Sequence, residues 1–169
     1  MPIIVSDTSC MIDLRKASLL GAILALPHTF VMPNALFEDE WLCLTRDEKR
    51  VLVDGGLDVR DLPGESVLRA AKYFNEQSRL KLNDCFAMAL AEDIEGSILL
   101  TGDAPLRSAA EDRGIEVHGV LWLIDELEAH DVVPIQKLHD VLKLYQEDDF
   151  VFLPDRELRS RIRRLARLL

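Results

Sequence analysis

No apolar stretch of this chain reaches the length needed to cross a bilayer. The longest early run, Leu19 to Leu26, stops at Pro27, far short of the roughly 20 residues a spanning helix needs. The N-terminus also lacks a basic region followed by an apolar core, the pattern of a secretory signal. Cysteine is scarce. Cys10, Cys43 and Cys85 are odd in number and widely spaced, which excludes a disulfide framework or a zinc pattern and suits a reducing cytoplasm. His28, His118, His130 and His139 show no metal-ligand spacing either. No Gly-rich phosphate loop of the Walker type is present, so nucleotide hydrolysis lacks its usual cradle. Positive charge is short as well. The net charge is −10, which argues against whole-surface attraction to nucleic acid, because phosphate contacts need local positive charge.

What is present is enough for one folded domain. The chain has 169 residues and 49% are hydrophobic, which supports a core and opposes disorder. Charge is uneven along it. Residues 155–169 hold six arginines against Asp155 and Glu157, a net of +4, leaving −14 on residues 1–154. An amphipathic helix accounts for that end: Leu158, Ile162, Leu165 and Leu169 form a stripe, and the arginines face water. Contact with an RNA backbone is the competing reading.

Short apolar runs alternate with helical patterns. Pro2 to Val5 reads as a strand buried on both faces. A helix follows Asp7 through Met11 and Leu14 towards Leu26, with Gly21 as an interruption. Thr29 to Met32 is a second strand, and Pro33 opens a helix carrying Leu36, Phe37, Trp41 and Leu44. Leu57 to Leu62 alternates as a strand, and Glu65 to Leu80 suits a helix. Asn83-Asp84 caps an Ala-rich helix that Gly96 closes. Ser97 to Thr101 is a buried strand, Gly102-Asp103 turns into a helix, and Ile115 to Val117 is the last strand. Helices over 120–127 and 135–145 follow. The alternation predicts an α/β sandwich around a mostly parallel sheet, with no internal repeat.

Three acids share one local context. Asp7 follows the first strand, Asp84 starts a helix, and Asp103 follows a buried strand and precedes a helix. Each alone is what a helix N-cap asks for. Together they would cluster, because helix starts after parallel strands lie on one edge of the sheet, where open α/β sheets bind ligands. Clustered carboxylates raise one another's pKa unless a cation neutralises them, and oxygen-only ligands favour Mg²⁺ or Mn²⁺ over zinc. Glu40 is the fourth candidate. Its neighbours at helical spacing, Leu36, Phe37, Cys43 and Leu44, place it beside an apolar face, where a carboxylate needs a partner. Glu38 remains an alternative register, and Asp39 a weaker one.

In the order and spacing of these motifs the chain resembles the PIN-domain nuclease family. They are Asp7-Thr8-Ser9 after the first strand, a Pro-led helix bearing Glu from Pro33 to Trp41, Asp84 in NDCFAMALA, and Thr101-Gly102-Asp103 after a buried strand. The resemblance runs from about Ile3 to Leu127. It implies a three-layer fold with a parallel sheet of four or five strands. It also implies a PIN-like domain over 1–150, with 151–169 as a basic helical extension. Asp7, Glu40, Asp84 and Asp103 map onto the family's metal-binding acids, and Ser9 and Thr101 onto supporting positions. The activity so implied is a Mg²⁺- or Mn²⁺-dependent endoribonuclease cutting single-stranded RNA. Many similar members are toxins of toxin–antitoxin pairs, so an antitoxin protein and a second copy of the chain are candidate partners. A PIN-like module that binds RNA or protein without catalysis is the alternative. A phosphotransferase using Asp7 is set aside, because the second Asp that pattern needs is Ser9 here.

Overall fold

A computed structural model of the protein, describing residues 1–39, 42 and 44–169, has five parallel strands in the order β3-β2-β1-β4-β5. The strands are β1 (Ile3–Ser6), β2 (Thr29–Pro33), β3 (Asp58–Arg60), β4 (Ile98–Leu100) and β5 (Glu116–His118). Ile4 pairs with Phe30 on one side and with Ile98 on the other. β1 is therefore the central strand, and Ile4, Val5, Phe30, Val31, Leu99 and Leu100 are buried. Strands this short and apolar are stable only when both faces are covered.

Helices supply that cover: α1 (Thr8–Lys16), α2 (Leu20–Ile23), α3 (Asn34–Asp39), α4 (Arg46–Asp54), α5 (Gly64–Glu76), α6 (Leu82–Asp93), α7 (Ala104–Glu111), α8 (Val120–Ala129), α9 (Ile135–Glu147) and α10 (Asp155–Ala166). The result is the expected three-layer α/β sandwich. α6 carries Ala87, Ala89 and Ala91, all buried, and their small side chains let it sit close to the sheet. α10 packs against α9, burying Leu158 and Leu165, whereas Leu169 is exposed.

Several boundaries differ from the sequence reading. The first helix does not run to Leu26. It stops at Lys16, because Ser18 takes a left-handed conformation with φ 56°, and a short α2 follows. Pro33 closes β2 rather than opening a helix. A helix not expected from hydrophobic spacing, α4, starts at a capping box in which Thr45 and Glu48 exchange hydrogen bonds. Glu40, Trp41 and Cys43 lie outside the described residues, and with them the choice of Glu40 as the fourth acid.

Candidate active site

Asp7 sits where β1 ends and α1 begins. Its backbone N–H donates to Leu100 O at 2.9 Å, which extends the β1–β4 ladder one step beyond the strands. The side chain is 4% exposed and tightly held. Oδ1 accepts from the Thr8 N–H at 2.7 Å, and Oδ2 accepts from the Ser9 hydroxyl at 3.0 Å and the Thr101 hydroxyl at 2.8 Å. Three donors fix one rotamer of this carboxylate.

Thr101, fully buried at the end of β4, also accepts from the Asp103 N–H at 3.0 Å. Ser9 makes a parallel link, its oxygen accepting from the Gly102 N–H at 2.9 Å. The two hydroxyls thus tie the turn after β1 to the turn after β4. Asp103 caps α7, its Oδ2 accepting from the Leu106 N–H at 3.1 Å.

Asp84 enters from a different direction. It does not cap α6 as the sequence suggested. The helix begins earlier, at Leu82, and Asp84 lies in its first turn, accepting from the Lys81 N–H at 2.9 Å. Burial raises its pKa to about 6. The Lys81 N–H opposes the shift, and the charges of Asp7 and Asp103 add to it. That electrostatic coupling places the three carboxylates in one field.

Asp7, Asp84 and Asp103 line a single depression of about 390 Å³ together with Thr8, Ser9, Ile12 and Lys81. Capping alone explains the place of Asp7 and of Asp103, but not the burial of Asp84 between them. Glu38 and Asp39, the rival acids of α3, are both exposed. Among the described residues, the three acids do not bring one oxygen each within 4.8 Å of one another. An ion shared by all three would therefore reach at least one of them through a bound water, and Mg²⁺ commonly keeps such waters. Lys81 was not anticipated, since nothing in its spacing distinguishes it from a surface lysine.

The family model DUF3368, described as a PIN domain, matches residues 3–167. The chain belongs to the PIN-domain family. The match takes in the whole of α10. PIN domains are generally nucleases, and the five-stranded parallel sheet is PIN-like. No curated protein matches the chain in sequence.

A second, larger depression of about 980 Å³ is lined by Thr101 and Gly102, beside the carboxylate depression. Arg107, His118, Trp122, Phe152 and Arg161 are among its lining residues. His118 stacks on Trp122 with ring centres 4.6 Å apart.

Proposed function

We propose that this PIN domain is a Mg²⁺- or Mn²⁺-dependent endoribonuclease acting on single-stranded RNA. One observation carries the reading: three carboxylates from three separate elements meet in one depression at the carboxyl edge of the sheet, and one of them is buried enough to resist ionisation. Such a donor set fits a hard divalent cation, whose charge would relieve the repulsion. Asp7, Asp84 and Asp103 would hold it, with Glu40 as the fourth acid.

When bound, the ion supplies Lewis acidity towards the scissile phosphate and a more acidic water. The chain's own residues do the rest. Ser9 and Thr101 lock the Asp7 carboxylate, so no reorganisation is needed when charge develops. Lys81 offers positive charge at the rim for a non-bridging phosphate oxygen. The larger depression offers Phe152 and the outer face of His118 as stacking surfaces for unpaired bases, with Arg107 beside them. The acidic body makes the metal necessary for substrate approach as well as for chemistry. The toxin role, with an antitoxin protein as partner and a cytoplasmic site of action, is supported by family resemblance alone.

The test is internal cleavage of end-labelled unstructured and duplex RNA by purified protein, with Mg²⁺, Mn²⁺ or excess chelator. Cleavage of the unstructured RNA with metal, absent in Asp7→Asn, supports the reading. Turnover that survives both chelator and Asp7→Asn overturns the mechanism. If RNA is bound but never cut, the non-catalytic binding module takes its place.

A further inference from the structure

Two histidines far apart in sequence meet a glutamate near the amino end of β2 and the carboxyl end of α8. His28 lies just before the amino end of β2. Glu126 sits on α8, and His130 caps the carboxyl end of that helix. His28 Nε2 is 2.6 Å from Glu126 Oε2, and His130 Nε2 is 3.6 Å from the same oxygen. One ligand atom from each of the three falls within 4.8 Å of the other two.

We propose that His28, Glu126 and His130 form a binding site for a first-row transition ion of the zinc class, distinct from the carboxylate depression. The donor set is borderline-soft, two imidazoles and one carboxylate, which suits Zn²⁺ rather than Mg²⁺. The geometry is close to a coordination shell. Ligands at about 2.0–2.1 Å in a tetrahedral array are about 3.3 Å apart, and the two measured separations straddle that value. Imidazoles bound at that angle place their ring centres about 5 Å apart. Here the centres are 5.8 Å apart with the rings at 89°.

The surrounding charges point the same way. Three neighbouring acids lie on α8. Arg161 answers Asp125 and Arg164 answers Glu128, whereas among the described residues the ionic partners of Glu126 are the two histidines. The carboxyl end of α8 adds the negative pole of the helix dipole, which favours a cation. The His28 side chain is only 6% exposed, whereas that of His130 is 40% exposed, so an ion has a route in from one side. Nδ1 of His28 is buried without a hydrogen-bond partner among the described residues. Partners at that position commonly add about 10–100-fold to affinity, so this site is expected to bind that much more weakly than one with the partner in place. The ion would join the chain before β2 to the end of α8, a structural staple. This does not rest on the nuclease reading, because His28 is at the amino end of β2, whereas Asp7 and Asp103 follow the carboxyl ends of β1 and β4 and Asp84 lies in the first turn of α6.

Trp122 stacks near His28, with ring centres 6.0 Å apart and planes 19° apart, and so reports on the site. In a Trp41→Phe background it is the sole tryptophan, and Co²⁺ or Ni²⁺ binding should quench it. The full chain, dialysed against Zn²⁺ with excess Mg²⁺ to occupy the carboxylate depression, should retain one Zn²⁺. His130→Ala should weaken Zn²⁺ binding at least about tenfold and abolish the quench, while Asp7→Asn should change neither. Glu126→Gln, which keeps the side-chain shape, should repeat the loss if His130→Ala is poorly folded. Zn²⁺ binding that is equal in wild type and in both variants overturns the proposal. So does absence of retained Zn²⁺ in the wild type.

Discussion

The Thr101 hydroxyl donates to Asp7 Oδ2 at 2.8 Å while accepting from the Asp103 N–H at 3.0 Å. One buried side chain therefore sets the distance between two of the acids. Thr101→Val keeps the shape and removes both hydrogen bonds. It is expected to lower stability by about 1–3 kcal/mol and turnover by about 100-fold, the usual cost of a displaced catalytic group. Thr101→Ser should recover most of both. Denaturant unfolding and RNA turnover measure the two effects. A fully active Thr101→Val variant would show that the hydroxyl only caps the turn.

Asp84 is held against its electrostatic preference, by burial and by the charges of Asp7 and Asp103. In chelator, Asp84→Asn is expected to be more stable than wild type, by on the order of 1–2 kcal/mol. Added Mg²⁺ or Mn²⁺ should raise Tm for the wild type and much less for the variant. If both proteins respond equally to metal in a thermal melt, Asp84 does not hold the ion.

A pH dependence follows from Asp13 on α1, whose carboxyl is pushed up to about 6. Burial is the main cause, Lys16 opposes it and Asp148 adds to it. Its unfolded value is about 3.9. Between these values the folded state keeps a proton that the unfolded state has released. Stability therefore falls as pH rises from about 4 to 6 and stays reduced above. Asp13→Asn removes this contribution and should gain on the order of 1 kcal/mol at pH 7, after discounting for partial solvent screening. Asp84 titrates in the same window, so the useful quantity is the difference between wild type and variant. A difference that is constant from pH 4 to 7 would refute the assignment.

The placement of Asp7 and Asp103 was more legible than that of the elements around them. Asp7 and Asp103 could be placed because a parallel strand followed by a helix puts its junction on a known edge, and both are N-caps. Asp84 differs locally from the expected cap at Asn83-Asp84, since Lys81 precedes the first turn of α6 and Asp84 lies within that turn. Hydrophobic spacing could not reveal α4, which buries only Leu52. Its start was encoded instead in Thr45 and Glu48. The His28–Glu126 contact spans 98 positions, and no periodicity reaches that far.

The basic end behaves as packed structure. Arg161 makes a two-pronged contact with Asp125 at 2.8 and 2.6 Å, and Arg164 reaches Glu128. Arg161→Ala is expected to cost about 1–3 kcal/mol in a denaturant melt, whereas Arg163→Ala, on the exposed side, should stay within about 0.5 kcal/mol. Removing 155–169 uncovers the α9 face that Leu158 and Leu165 bury, and should cost cooperative folding. A truncated protein with unchanged Tm but weakened RNA binding would restore the RNA-contact reading.

The central place of β1 has a consequence for the order of assembly. Val5 waits for Val31 on one side and for Leu99 on the other. At about 5–20 residues per second of synthesis, the gap between emergence of β1 and of β4 is several seconds to some twenty. During that interval β1 is an open edge, and the pocket around Asp7 lacks the Thr101 hydroxyl and the Asp103 carboxylate. A nascent chain on that schedule would complete the pocket around Asp7 only after β4 and the turn that follows it have emerged.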